Sequence, residues 1–569
     1  MQASSAQPAA QAESLKRLGW PLWAAAALSA GLLELPFPIA GPMPPWRSVF
    51  AWSALVPLLW AVLSAERGSE PHPLRRAFLL GYLCGVLWYM GNCYWIYDTM
   101  LMYGDMPPAV ALLLLIGFSL VLGLYFGLFG FGLAFVQQRT GSTRLALIFA
   151  PFLWTALELA GARITSVPWD QLGYSQVDNG ILTPLAPWTG VYGISFVLVA
   201  ANALIAGILF AAEDSSDLVA SIRIRSWAYA LSFAILFLAI GHLVLPHPQP
   251  APTATAVLIQ PNLDVANTGY WQGPGEWDAH MVQFTYLAAE DCKSYIAGIP
   301  QTSAPNEQMA CPYFPAKPDL VVWPESPAPY FESDPRFQRS MAQIAQTEDA
   351  PLIVNGIGSQ FSPSENGYLD YVSAMALNAQ GQEIGRYDKM HLVPFGEHVP
   401  FAKLLFFAHK LTGKVSRFTP GEARRVFLLR SANGDSHRYG VFICYEAVFA
   451  DEVRQFAKLG ADVFVNLSDD GWYGDTSAPW QHLNMARMRA IENRRWLLRD
   501  TNNGVTAVID PFGRVRQSIP RHAIDALPAQ FGFRSDITFY TAHGDVFAWL
   551  CVILSVGVVA WCAVRRRLR

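Results

Sequence analysis

The chain has 569 residues, 52% of them hydrophobic and only 15% charged, with a mean hydropathy of +0.24 and a formal net charge of −4. Soluble globular chains carry about 25% charged residues, so the deficit points to a membrane protein, and the length exceeds one ordinary domain. The small net charge gives no argument for nucleic acid as a partner. The seven cysteines, Cys84, Cys93, Cys292, Cys311, Cys444, Cys551 and Cys562, form no CxxC pair, which speaks against a zinc site or a thioredoxin-like motif. No metal or cofactor is expected.

Seven apolar segments come first, at 21–39, 49–64, 77–97, 108–136, 145–160, 191–212 and 227–245. Each is close to the roughly 20 residues that cross a bilayer core. The second and fifth are short, and the fourth is long enough to tilt or break. An eighth, 546–564, stands alone near the C-terminus. The first is not read as a cleaved signal peptide, because more spans follow it and no small-residue cleavage site is evident. The basic residues Lys16, Arg17, Arg67, Arg75, Arg76, Arg139, Arg144, Arg223, Arg225 and Arg565 to Arg569 fall in alternate loops and at both ends. The other loops hold little beyond Arg47 and Arg163. The positive-inside rule then places both termini in the cytoplasm and the long segment between the seventh and eighth spans on the far side.

The expected organisation is a seven-helix membrane domain over 1–245, a Pro-rich linker over 246–252, a catalytic domain over 253–543, and a C-terminal span with a basic tail over 544–569. The linker, Pro-His-Pro-Gln-Pro-Ala-Pro, cannot continue a helix. Beyond it, short apolar runs at 256–259, 320–323, 352–354, 441–443 and 463–465 read as buried strands, and 451–459 has helical spacing. This is α/β patterning, and the sequence shows no internal repeat. Residues 290–317 lack periodicity and read as a surface insertion.

Three residues have chemical potential, two of them at or just past the ends of these runs. Cys444 follows Val441-Phe442-Ile443, where a strand end opening into a turn lets a thiol face solvent and feel helix-terminus dipoles. Glu325 follows Val322-Trp323-Pro324, where a carboxylate can take a thiol proton and later return it. Lys389 lies in Tyr387-Asp388-Lys389-Met390-His391-Leu392-Val393-Pro394-Phe395-Gly396-Glu397, and a lysine beside a reacting carbonyl can stabilise an oxyanion. In isolation each has an ordinary explanation: a core cysteine, a solvated glutamate, a surface lysine.

Taken together, Trp-Pro-Glu, then Tyr-x-Lys-x-His-Leu-Val-Pro-Phe-Gly-Glu, then Cys-Tyr-Glu resemble the nitrilase superfamily. That resemblance implies an αββα sandwich with Glu325 as base, Lys389 as oxyanion stabiliser and Cys444 as nucleophile. Set between membrane spans, such a domain resembles the apolipoprotein N-acyltransferase family over essentially the whole chain. Further stretches carry the likeness: Leu467-Ser468-Asp469-Asp470-Gly471-Trp472-Tyr473-Gly474, Pro479-Trp480-Gln481-His482-Leu483, Pro168-Trp169-Asp170-Gln171-Leu172-Gly173-Tyr174 and Gly190-Val191-Tyr192-Gly193. The fold implied is a polytopic α-helical membrane domain plus an α/β nitrilase-like αββα sandwich.

The reaction implied moves an acyl chain from a phospholipid to the α-amino group of a diacylglyceryl-cysteine apolipoprotein, through a Cys444 thioester and in two steps. The implied location is the bacterial inner membrane, with the catalytic domain in the periplasm. Glu397 and Glu446 match acidic positions near the nitrilase triad and read as groups that tune or orient Lys389, or as plain structural salt-bridge partners. Tyr445 orders the thioester pocket or simply packs. Trp472 and Tyr473 gate lipid entry or anchor at the bilayer interface. His482 reads as a hydrogen-bonded structural histidine. Two other readings stay open at this point. One is a membrane-tethered carbon–nitrogen hydrolase, since water and amine attack the same thioester. The other is a transporter or scaffold, against which intramembrane charge is sparse, Asp98 and Glu158 being the candidates.

Cys292 and Cys311 fall in the 290–317 insertion, which the resemblance does not explain. Cys444 has to stay reduced and the other four cysteines lie in predicted spans, so these two are the pair expected to form a structural disulfide outside the cytoplasm.

Overall fold

The computed structural model describes residues 19–64, 72–213, 250–263, 265, 318–325, 330–364, 366–394, 396–397 and 418–565, with isolated positions 226, 229 and 232. The seventh predicted span, apart from Tyr229 and Ser232, and the 290–317 insertion with Cys292 and Cys311 lie outside the described residues. The chain divides into two compact units. One comprises Met1–Tyr97, Pro108–His247 and Asp545–Arg569; the other comprises Asp98–Pro107 and Pro248–Gly544.

The first unit is helical. Among the described residues, five helical segments are long and apolar enough to cross a membrane: Pro45–Ser64, Pro108–Thr140, Thr143–Thr165, Val191–Ala211 and Val546–Arg565. They correspond to the second, fourth, fifth, sixth and eighth predicted spans. The first folds as a 16-residue helix, Gly19–Glu34, and the third as a 20-residue helix, Pro73–Asn92. Pro108–Thr140 is one unbroken helix of 33 residues, about 50 Å at 1.5 Å per residue. The second span is not continuous. A 3-10 stretch, Pro45–Trp52, gives way to the helix Val56–Ser64, and Pro57, which has no N–H, starts that helix afresh.

Irregular backbone at membrane depth needs internal partners. Asn202 supplies two at this break, accepting from Leu55 N–H (2.8 Å) and donating to the Ala51 carbonyl (2.9 Å). Ser29 donates to the Ala54 carbonyl at 2.6 Å and accepts from Leu58 N–H at 3.0 Å. The helices Pro73–Asn92 and Pro108–Thr140 approach very closely. A Cβ on Gly81 would stand 2.2 Å from the Phe126 carbonyl oxygen, so the small residue sets the helix separation.

The second unit is built on twelve strands: β1 (Ala254–Gln260), β2 (Leu320–Val322), β3 (Leu352–Ser362), β4 (Gly367–Leu377), β5 (Glu383–Asp388), β6 (Val426–Arg430), β7 (Ser436–Ile443), β8 (Val463–Ser468), β9 (Leu497–Thr501), β10 (Ala507–Ile509), β11 (Val515–Ser518) and β12 (Asp525–Phe531). They form two six-stranded sheets, in the orders β12-β1-β2-β3-β4-β5 and β6-β7-β8-β9-β10-β11. Read in that direction, both sheets repeat one pattern of pairing: antiparallel, parallel, parallel, antiparallel, antiparallel. The structure thus contains an internal repeat that the sequence does not display. Strand pairing is a backbone property, and side chains can diverge under it as long as the apolar pattern survives.

Alternation along β1 shows how the layers stack. Ala254, Ala256 and Leu258 enter one core, while Val257 and Ile259 enter another, as the two-residue strand period requires. The first core joins Leu258, Val322 and Ala374 of one sheet to Val441, Val465 and Leu498 of the other. The second is closed by the helix Pro335–Glu348 through Phe337, Met341 and Ile344. That helix starts at Asp334, whose carboxylate accepts from Arg336 N–H at 2.8 Å. On the other sheet the helix Ala450–Lys458 packs Phe456 on Phe442, with ring centroids 6.2 Å apart. The order helix, sheet, sheet, helix is the αββα sandwich expected from the motifs.

Candidate active site

Functional groups in open α/β sheets gather at the carboxyl ends of strands, and here several such ends carry chemistry. Glu325 lies three residues beyond β2, and Lys389 directly follows β5. Cys444 directly follows β7, and Asp469 and Asp470 directly follow β8.

Cys444 has φ +48°, a left-handed conformation that costs a non-glycine residue energy and persists only where the surroundings enforce it. It opens a five-residue 3-10 turn, Cys444–Val448. Glu446 enforces this turn from within. Its Oε2 accepts from Ile443 N–H (2.7 Å), and its Oε1 accepts from Tyr387 Oη–H (2.8 Å), Met390 N–H (2.7 Å) and His391 N–H (3.2 Å). The carboxylate therefore ties the nucleophile turn to the segment on both sides of Lys389.

Lys389 is fully buried. Its Nζ donates to Glu397 Oε1 at 2.7 Å and to Glu325 Oε1 at 3.2 Å. Its backbone is pinned as well, because Lys389 N–H donates to the Val372 carbonyl and Gly421 N–H donates to the Lys389 carbonyl, each at 2.8 Å. A Cβ on Gly421 would fall 2.1 Å from the Asp388 carbonyl oxygen, so only glycine permits this approach. Glu397 is held in turn by Val393 N–H on Oε2 (2.8 Å), and Glu325 by Asp469 N–H on Oε2 (3.0 Å).

Burial alone would lower Lys389, but the Glu325 and Glu397 charges hold it well above the usual lysine value, so the ammonium is permanent. Glu325 is raised, chiefly by burial, with Lys389 opposing and Glu397 adding to the rise. Cys444 is only 4% exposed. Burial first, and the Glu325 charge next, push its thiol well above the usual value. This corrects the expectation of a solvent-facing, dipole-activated thiolate. The resting group is a buried thiol, and only loss of its proton to a base would make it nucleophilic. Glu325 is the acceptor in contact with it.

The charges yield a pH prediction. A base works only when deprotonated, so acylation should fail as pH drops through the raised Glu325 value, above the ordinary carboxylate range. Glu397 raises Glu325. Glu397→Gln should therefore shift the acid limb of the thioester-formation rate to lower pH, as measured by stopped reaction and mass. A limb that stays in place or moves upward would remove Glu397 from this role.

The remaining predicted residues divide. Tyr445 is buried and packs edge-on against Phe449 at 5.1 Å. Tyr473 is buried, with its ring 6.2 Å from that of His482. Trp472 is 39% exposed. It meets Tyr103 edge-on at 5.5 Å, while Tyr103 Oη donates to the Gly471 carbonyl (2.8 Å) and Thr99 Oγ1 to the Trp472 carbonyl (3.1 Å). The segment Asp98–Pro107 thus belongs to the catalytic unit and straps the loop after Asp470, although in sequence it lies between membrane helices. Asp98 is part of this strap and outside the long apolar helices.

Sequence reasoning missed the network beneath the nucleophile. His482 Nε2 donates to the Cys444 carbonyl at 3.1 Å, and Nδ1 lies 2.9 Å from Asp470 Oδ1. Asp470 also takes Arg499 Nη2 at 2.6 Å and Ser468 Oγ at 3.0 Å. Burial would raise Asp470, but Arg499 and then His482 hold it well below the usual carboxylate range. The adjacent Asp469 accepts from Gly471 N–H and Asn502 Nδ2, each at 3.0 Å, so consecutive aspartates brace both Glu325 and Cys444. The signal was the Asp469-Asp470 pair beside a Gln-His motif, but its partners are far apart in sequence. His482→Ala should lower both the melting temperature and the rate of thioester formation, the latter by about tenfold or more, because it frees the Cys444 carbonyl. His482→Gln, which keeps an N–H donor, should recover part of the rate. An unchanged rate per folded molecule would make His482 purely structural.

The paired sheets with catalytic-type groups at their strand ends define a carbon–nitrogen hydrolase domain, and the family profile described as carbon-nitrogen hydrolase matches residues 292–527. The profile described as apolipoprotein N-acyltransferase N-terminal domain matches residues 29–204. The chain is 34% identical to an apolipoprotein N-acyltransferase of Geobacter metallireducens over 548 residues, 95% of each chain. It is 28% identical to one of Chlorobaculum tepidum, over 95% of this chain and 96% of that one. It belongs to the apolipoprotein N-acyltransferase family. Among solved structures, Saccharomyces cerevisiae Nit3 of the nitrilase superfamily is 16% identical, with a TM-score of 0.34, over 50% of this chain and 92% of that one. The fold assignment rests on the strand order and the family profiles, not on that superposition.

Proposed function

We propose that the enzyme takes an acyl chain from a membrane phospholipid and delivers it to the α-amino group of a diacylglyceryl-cysteine apolipoprotein, by a ping-pong route through Cys444. The chain is a membrane acyltransferase of lipoprotein biosynthesis. The observation that carries the mechanism is the fully buried Lys389 ammonium between Glu325 and Glu397, close to a buried Cys444 thiol.

Glu325 takes the Cys444 proton as Sγ attacks the phospholipid ester carbonyl. The oxyanion that forms is met by Lys389 Nζ, whose charge is already in place. Collapse breaks the ester C–O bond, and Glu325 returns the proton to the departing lysophospholipid alkoxide, leaving a thioester. The acceptor amine then attacks that thioester and loses a proton to Glu325. The second tetrahedral species collapses with thiolate as leaving group, and the proton on Glu325 restores the thiol. One base and one cation serve both halves. The basic residues in alternate loops support an orientation with both termini in the cytoplasm and the catalytic unit in the periplasm, at the inner membrane.

Intact-mass measurement of purified protein incubated with phospholipid and no acceptor tests the route. The expected result is one acyl mass on Cys444 that disappears when a diacylglyceryl-cysteine peptide is added. Persistence of the adduct with acceptor present, or product formation without any adduct, would overturn ping-pong transfer.

A further inference from the structure

The membrane unit holds a partly open pocket, with a cavity of about 50 Å³, that the proposed chemistry at Cys444 does not use. Its walls are dominated by aromatic rings, among them Trp88, Tyr89, Trp154 and Trp169, and two carboxylates open onto it, Glu158 and Asp170. None of the lining residues is Lys, Arg or His. Two buried acids in an aromatic chamber lack the counter-charge that buried carboxylates normally require.

Glu158 is partly committed. Its Oε1 accepts from Trp154 Nε1 and from Leu172 N–H, each at 2.9 Å, which fixes the turn that follows Trp169. Asp170 is different. It is 1% exposed, its Oδ2 accepts from Asn92 Nδ2 at 3.0 Å, and its Oδ1 has no hydrogen-bond partner among the described residues. Trp88, 5% exposed, likewise leaves its Nε1–H without an acceptor. A buried carboxylate oxygen and a buried indole N–H both left open in one cavity mark a place for a polar guest. No group of three or more acidic, His or Cys side chains suited to a metal ion occurs among the described residues. A pocket walled by indole rings also suits an ammonium group better than a bare metal ion, because aromatic faces attract ammonium groups and carboxylates accept their hydrogens.

We propose that this cavity is a binding site for a primary ammonium group on an amphiphile, with Asp170 Oδ1 and Glu158 as acceptors, the Trp88, Trp154 and Trp169 rings as the cage, and Trp88 Nε1–H donating to an oxygen next to the ammonium. Two sources offer that chemistry in this membrane: the headgroup of an aminophospholipid and the free N-terminus of a lipid-modified peptide. The inference concerns binding, and it rests on the acyl-transfer reading only for the choice of these two probes.

The test uses the full chain carrying Cys444→Ala, so that no acyl group is transferred, and counts bound amphiphiles by native mass spectrometry. One arm compares phosphatidylethanolamine with phosphatidylglycerol of the same acyl chains. The other compares a diacylglyceryl-cysteine peptide with its N-acetylated form. The expected result is at least a tenfold preference for the ammonium-bearing member in one arm, which identifies the source. Adding Asp170→Asn, which keeps size and the Asn92 contact, should reduce that preference to about twofold or less. Trp88→Phe keeps the ring and removes the donor. It should weaken binding severalfold without abolishing the preference, and it serves as the second variant should Asp170→Asn not fold. No preference in either arm, or a preference that Asp170→Asn leaves intact, would overturn the site, and the cavity would then hold only water. Because no step of the assay depends on turnover, these outcomes are separate from failure of the proposed transfer reaction.

Discussion

Cys444→Ser is expected to reduce N-acylation by on the order of 10⁵-fold while leaving the fold intact. The substitution keeps the volume, and the left-handed turn is held by Glu446 and by the His482 contact to the Cys444 carbonyl, neither of which uses the sulfur. What changes is the nucleophile. In a pocket where even the thiol is pushed well above its usual value, a hydroxyl, far harder to ionise, has no route to an anion, and proton transfer to Glu325 becomes steeply uphill. The variant should unfold at the wild-type temperature, show no acyl adduct by intact mass and form no N-acylated peptide. Substantial product from it would exclude a covalent thioester. The buried thiol of the wild type should also react slowly with iodoacetamide near neutral pH and faster as pH rises, which a preformed thiolate would not do.

Lys389→Ala is expected to cost about 10³-fold or more in the rate of thioester formation, more than the single oxyanion contact of roughly 3 kcal/mol would explain. The excess follows from what the ammonium does before the reaction. It is the cation between Glu325 and Glu397, at 3.2 and 2.7 Å, and removing it leaves the buried Glu325 and the half-buried Glu397 without the cation between them. Breaking a buried pair in this way costs about 3–5 kcal/mol unless a group neutralises, and here the buried Glu325 neutralises by taking a proton. Lys389 normally pulls the raised Glu325 value back down, so its loss raises Glu325 further and the base is protonated at neutral pH. Residual activity of the variant should therefore climb with pH beyond the wild-type acid limb. A rate unchanged at every pH, with weaker phospholipid binding, would reassign Lys389 to headgroup recognition.

The three groups at the centre were readable because Glu325 and Cys444 sit at or just past the end of a short apolar run and Lys389 carries its own local motif. Their mutual geometry was not readable. Nothing within Val322-Trp323-Pro324-Glu325 states that Glu325 Oε2 is held by the backbone of Asp469, 144 residues on. Glu446 was placed near Lys389 by resemblance. In the structure it bonds Tyr387, Met390 and His391, the residues around Lys389, and not the ammonium itself. Trp472 was assigned to the bilayer or to a gate, and its strap, Thr99 to Tyr103, comes from a segment that hydropathy had placed beside a membrane span.

The sequence by itself determined the membrane character, the α/β pattern of the second unit, five of its strands and which three side chains, Glu325, Lys389 and Cys444, are the candidates for chemistry. Each of these is written in the local spacing and type of side chains, which the chain carries whatever its fold. β4, β5, β6 and β9 to β12 were not found; Glu383–Asp388 and Val515–Ser518 have mixed faces and lack a continuous apolar run, while Val426–Arg430 and Ala507–Ile509 are apolar but too short to separate from other short runs by pattern alone. Only the tertiary structure decided that the two sheets repeat one pairing pattern, that the thiol is buried and not exposed, and that His482 and the consecutive aspartates brace the nucleophile and the base. Burial, pKa and hydrogen-bond partnership are set by atoms brought together from distant parts of the chain, and no local window of sequence contains them.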